Sequence, residues 1–273
     1  GSFYTYASPL KPIIRTFKNQ DEVLACNLRR FFPSVLPDSI NRYIDPYLSN
    51  SLFYYHIEKN ARMVRDHNEE LIELYQLIRN QNQVLMGVLN QLSEIWEYAT
   101  NLVDDDLIGI AQYCAGANRY ARLRDVIKQH SHNIIDLLNT EPYIYVGTTT
   151  NPCQLIKYLQ DHLVIGARQF PSLYNTTQDT MTDYADLLET GLKSGIYEYV
   201  KLCYNTSSSK TKQKIACYYF LLTYSLNQFL RRKNKTGYSS TYGGESYNVF
   251  MPDGENYYWQ DPKLALHLKN TYF

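Results

Sequence analysis

Tyr43-Ile44-Asp45-Pro46-Tyr47-Leu48-Ser49-Asn50-Ser51-Leu52-Phe53, followed by Arg62-Met63-Val64-Arg65-Asp66-His67-Asn68-Glu69-Glu70-Leu71-Ile72, carries the sequence-based reading of the fold. Arg42 to Ile44 is a short apolar approach to a strand, ended by Asp45-Pro46 and a polar turn. Arg62 to Arg65 is a second strand candidate. Asn68 suits a helix N-cap, because its side-chain oxygen can accept from N–H groups that the first turn leaves without partners. After it, Leu71, Ile72, Leu74, Tyr75 and Ile78 recur at helical spacing. Along the whole chain the balance is many helices around few strands.

On the N-terminal side, Phe3 to Phe17 is a short aromatic and apolar stretch broken by Pro9 and Pro12. Residues 20–36 predict a helix, which Pro33 and Pro37 break. On the other side, residues 83–101 repeat the helical pattern with Val84, Leu85, Val88, Leu89, Leu92, Ile95 and Trp96. Leu107 to Leu138 reads as a continuing helix, and Tyr143-Ile144-Tyr145-Val146 as one strand. Further helices are expected at Leu155 to Ile165, Thr180 to Leu192, and Lys212 to Arg232. Asn234 to Gly254, rich in Gly, Ser, Asn and Tyr, suits a hairpin or binding loop.

The chain has 273 residues and a formal net charge of zero, so nucleic-acid binding would need a local patch. Its five cysteines are scattered without CxxC spacing, which points to free thiols and not to zinc or a disulfide framework. No apolar run approaches the roughly 20 residues that span a bilayer. A soluble, intracellular protein is expected, cytoplasmic or nucleoid-associated. The 27 tyrosines and abundant asparagine fit A+T-rich coding, which allows a viral origin.

Three blocks, in order, resemble the Dam-type adenine-N6 DNA methyltransferases. Asp45, Pro46 and Tyr47 match an acidic residue followed by Pro-Phe-x-Gly-x-Gly, with Ser49 and Ser51 standing where the glycines belong. Asp66, Asn68, Leu71 and Ile72 match a D-x-N-x-x-L-I segment. The run from Tyr218 through Asn227, Arg231, Arg232, Asn234 and Lys235 to Tyr242-Gly243-Gly244 resembles the family's recognition region. There Gln228 replaces a glycine, and the final proline is missing.

The resemblance implies an α/β fold: a partial Rossmann-like methyltransferase core with a large helical insertion and a helical/hairpin recognition region. The parts would be a cofactor-binding-like core at residues 1–82, the insertion at 83–194, and the recognition-like region at 195–273. It implies S-adenosylmethionine as cofactor, beside Asp45, Tyr47, Ser49, Ser51, Asp66 and Asn68. It implies nucleic-acid contact through Asn227, Arg231, Arg232, Asn234, Lys235 and Tyr242. The family's catalytic Asp-Pro-Pro-Tyr occurs nowhere in these residues, so no catalytic residue is assigned. A serine Cβ in place of a glycine costs roughly 1 kcal/mol or more if the backbone keeps a left-handed conformation.

The expectation is a degenerate methyltransferase scaffold, non-catalytic alone and acting in nucleic-acid or partner binding. One alternative is an adenine methyltransferase completed by further residues or a second subunit. Another is a viral structural or interaction protein. A protein partner or homo-oligomer is expected, with no membrane and no metal.

Other constellations have plainer readings. Asp104-Asp105-Asp106 suits an acidic helix start better than a metal site. His130 and His132 point in different directions on a helix and make a polar patch. Arg231-Arg232-Lys233-Lys235, with Lys210, Lys212 and Lys214 upstream, is the basic patch singled out for phosphate contact, with Tyr238, Tyr242 and Tyr247 for stacking. Asn256-Tyr257-Tyr258-Trp259 suits a protein interface.

Overall fold

A computed structural model describes residues 4–6, 42–45, 61–66, 68–144, 151–173, 180–207, 211–226, 229–231, 237–248, 268–269 and 271–273. Its helices are α1 (Glu69–Arg79), α2 (Gln83–Leu102), α3 (Asp105–Ala117), α4 (Ala121–Leu138), α5 (Pro152–Ala167), α6 (Phe170–Leu173), α7 (Thr180–Thr206) and α8 (Lys212–Tyr224). Its strands are β1 (Tyr4–Tyr6), β2 (Arg42–Asp45), β3 (Ala61–Val64), β4 (Phe229–Arg231) and β5 (Thr271–Tyr272). A single 3-10 turn, Glu245–Tyr247, follows β4 among the described residues.

The helix starts follow side-chain chemistry. Asn68, Asn82, Asp104, Asn151 and Thr211 each accept from a backbone N–H in the first turn of α1, α2, α3, α5 and α8. Asp104 caps α3, with Asp105 and Asp106 in its first turn, as the acidic run predicted. The stretch from Leu107 to Leu138 is two helices and not one. Asn118 adopts the left-handed conformation at φ 51°, and Arg119 N–H donates to Cys114 O, which closes α3.

The α/β expectation is overturned: the described residues are mostly helical, and the fold is not Rossmann-like. The strands are only two to four residues long. β1 pairs antiparallel with β4, while β2, β3 and β5 run parallel. So short a ladder buries too little apolar surface to organise a domain. The core is helix against helix. Every residue of α8 from Ile215 to Tyr224 is buried, as expected for a central helix. The Trp96 ring on α2 meets Phe220 at 5.5 Å and Tyr224 at 4.7 Å between centroids.

β5 is tied to α1. Arg79 donates to Thr271 O at 2.9 Å, and Phe273 stacks on Tyr75. Tyr143 and Ile144 lie outside any strand, and the rest of that predicted strand is outside the described residues. The same holds for the helix predicted at 20–36 and for Leu52 to Ile57. The helix predicted through Arg232 stops at Tyr224, where Ser225 caps it and bridges to Tyr242. Helix α7 continues through residues 194 and 195, and residue 82 is the N-cap of α2.

α5 and α7 cross with unusually little between them. A Cβ on Gly191 would lie 2.6 Å from the His162 carbonyl oxygen, and one on Gly166 would lie 2.6 Å from that of Leu187. Glycine is required at this crossing because the neighbouring atoms are backbone and cannot rotate away.

Candidate functional site

The described surface contains a cleft of about 570 Å³ where α2, α7 and the 3-10 turn meet. Helix α2 contributes Trp96, Glu97 and Thr100; α7 contributes Asp186, Glu189 and Lys193; the turn contributes Glu245 and Asn248. Helical spacing puts Trp96 and Thr100 on one face of α2, and Asp186, Glu189 and Lys193 on one face of α7.

The floor of the cleft is a closed polar knot. Trp96 Nε1 donates to Asn248 O at 2.7 Å, and Lys193 Nζ donates to the same oxygen. The Tyr242 hydroxyl donates to Asn248 Oδ1 at 2.6 Å, while Asn248 Nδ2 donates to Thr190 Oγ1 at 3.0 Å. Lys193 is only 2% exposed. Its Nζ lies 2.5 Å from Glu189 Oε1 and 5.2 Å from the Trp96 ring centroid. Burial lowers the Lys193 pKa, and Glu189 partly restores it. Thr100 Oγ1 also donates to Glu189 Oε1, at 3.0 Å.

The rim is anionic. Burial raises the Asp186 pKa, and the charges of Glu245, Glu189 and Asp183 raise it further. Carboxylates facing one another without enough cations hold a negative potential in the cleft.

Of the residues assigned by resemblance, Asp45, Asp66, Asn68, Arg231 and Tyr242 are among the described residues. Tyr47, Ser49 and Ser51 are outside the described residues, and Asp45 is placed only as the last residue of β2. Asp66 Oδ1 accepts from Asn68 N–H at 2.8 Å. Asn68 caps α1, and its Nδ2 donates to the Tyr218 hydroxyl at 2.9 Å. Beside them, Glu70 accepts from the hydroxyls of Tyr204 and Tyr238. Burial pushes the Tyr204 and Tyr218 hydroxyls far above their ordinary range, so both stay neutral. This knot ties α1 to α7 and α8. Replacing Asn68 with Ala is expected to cost about 1 kcal/mol through the lost cap, and more if the Tyr218 contact is not remade by water. Urea denaturation measures it.

Asn227, Arg232, Asn234 and Lys235 are outside the described residues, and Arg231 is placed only as the end of β4. Tyr242 is described and half-buried. Its ring lies edge-on to Trp96 at 5.8 Å and 5.9 Å from Tyr197. It therefore packs the floor of the cleft. His130 does not face a metal partner: its Nδ1 meets the Tyr98 hydroxyl at 2.6 Å. Among the described residues no group of metal-ligating side chains gathers, and no helix is long and apolar enough to cross a membrane.

A pH effect arises away from the cleft. Burial lowers the His162 pKa from its ordinary 6.5, against opposing pulls from Glu198 and Asp161. The unfolded chain then binds this proton more readily than the folded one. Stability is expected to fall as pH drops through 6.5 towards the depressed folded value. A His162→Gln variant should flatten that part of the stability–pH curve, measured by urea midpoints between pH 5 and 7.5.

The cleft was missed from sequence because its members come from three distant stretches. The Glu189-x-x-x-Lys193 spacing was the one local signal. No family model, no curated protein and no solved structure matches this chain.

Proposed function

We propose that this chain is a binding protein whose acidic cleft receives a cationic side chain, arginine or lysine, of a protein partner. One observation carries the reading. Glu97, Asp186, Glu189 and Glu245 line the cleft, while its lining cation, Lys193, is already held by Glu189 and Asn248. The remaining negative charge has a well-placed use in a guanidinium or ammonium group. Trp96 and its aromatic neighbours form a low-dielectric wall that strengthens such a pairing. The upward pull on Asp186 gives the same direction, since an incoming cation relieves the repulsion that raises it.

The partner-binding role implied by the sequence is kept in this form, and methyl transfer is not part of the proposal. Isothermal titration with a short arginine-rich peptide tests it. Binding is expected to weaken at least tenfold in an Asp186→Asn, Glu245→Gln double variant, and to weaken as pH falls and Asp186 takes up its proton. Equal affinity of the variant and the parent would refute it.

A further inference from the structure

We propose a second binding surface, at the corner where α3 meets α4 beside the end of α5, that takes single-stranded nucleic acid. Arg119, Arg122 and Arg168 are all exposed there. The Arg122 guanidinium lies 5.9 Å from the centroid of the Tyr113 ring, and that of Arg168 lies 5.2 Å from the Tyr120 ring. Tyr113 itself is 65% exposed. Arg124, the next arginine on the corner, is bridged to Asp161 at 2.5 Å. Among the described residues no carboxylate pairs with Arg119, Arg122 or Arg168, although Asp125 stands exposed on the same turn of α4.

Helix dipoles account for only part of this cluster. The C-terminal ends of α3 and α5 favour a cation each, which covers Arg119 and Arg168. Arg122 and Arg124 sit in the first turn of α4, at the positive end of its dipole, where a cation is disfavoured. The Tyr120 N-cap makes no side-chain hydrogen bond to that turn. Asp161 accounts for Arg124, but among the described residues no carboxylate accounts for Arg122. An anion at the corner meets the guanidinium groups of Arg119, Arg122 and Arg168.

The aromatic faces select the kind of anion. An acidic peptide or free phosphate needs the arginines only. Unpaired bases also stack on tyrosine, and arginine stacks alongside, so a phosphodiester strand with exposed bases uses every element of the corner.

Fluorescence anisotropy with labelled oligo(dT) and oligo(U) 12-mers, on the full chain at low salt, tests the assignment and separates DNA from RNA. Binding is expected to fall with salt. The Arg119→Ala, Arg122→Ala, Arg168→Ala triple variant should bind at least tenfold more weakly, with the salt slope reduced by roughly 0.7 per lost phosphate contact. Tyr113→Ala should weaken binding several-fold at unchanged slope, and Tyr113→Trp should restore it. These positions are exposed, and circular dichroism checks that the variants fold. The proposal is overturned by absence of binding, or by parental affinity in the triple variant. It is equally overturned if neutralising Arg231, Arg232, Lys233 and Lys235 abolishes binding while the corner variants leave it intact. Competition by polyglutamate as effective as by oligonucleotide, with no effect of Tyr113→Ala, would make the corner a simple anion patch and also overturn it.

Discussion

Replacing Gly191 with Leu is expected to destabilise the protein by about 3 kcal/mol, the upper end of the usual cost of overfilling a close-packed site. The first added carbon would already stand 2.6 Å from the His162 carbonyl oxygen, and 3.6 Å from the Gly166 Cα on the facing helix. Both obstacles are backbone. α5 and α7 must therefore move apart, which loosens the packing around the buried Leu155, Leu159 and Leu163 of α5 and Leu188, Leu192 and Ile196 of α7. Gly109 on α3 is the matched control, since a Cβ there meets nothing within 4 Å. Gly109→Ala should stabilise by roughly 0.5–1 kcal/mol through helix propensity alone. Urea denaturation of the pair measures both effects, and equal effects would show that the crossing is not tight.

Replacing Lys193 with Ala is expected to cost about 3–5 kcal/mol, as when one member of a buried ion pair is removed. Glu189 would keep Thr100 as a donor but lose its counter-charge, and Asn248 O would keep only Trp96. The 3-10 turn at Glu245–Tyr247 would be held less firmly against α7, so its amide hydrogens should exchange faster. Lys193→Met keeps most of the volume and should cost less. Because burial lowers the Lys193 pKa, deprotonation on the alkaline side begins below its ordinary 10.5. Between the lowered and ordinary values the unfolded chain binds more protons, so the charged lysine contributes less destabilisation as pH rises there. Lys193→Met should remove that trend from urea midpoints taken between pH 8 and 10.

Legibility was uneven for physical reasons. The helices from residue 69 to 102, and the start of α3 at Asp104, were readable because caps and period both signal locally. The break at Asn118 was not, since the apolar pattern runs on through it and one left-handed residue turns the chain. The strands at Arg42–Asp45 and Ala61–Val64 do form, and they pair in parallel. Reading them as the organising sheet failed because most buried side chains recur at helical period. Asn68 was correctly placed as a cap, and its cap role engages the side chain that the resemblance offered to a cofactor. The cleft stayed hidden because Trp96, Lys193 and Asn248 meet only once α2, α7 and the 3-10 turn have packed together. Tyr242 was chosen for stacking on a base, and its ring lies edge-on to Trp96.

The cleft's role as a receptor for a cationic side chain is tested most directly by mapping where such a side chain lands. A lysine-containing basic peptide, joined by a zero-length carbodiimide crosslink and located by mass spectrometry, reports the carboxylates it touches. Crosslinks to Glu97, Asp186 or Glu245, lost when excess arginine peptide competes, are the expected result. Crosslinks confined to other carboxylates, or undiminished by the competitor, would contradict it.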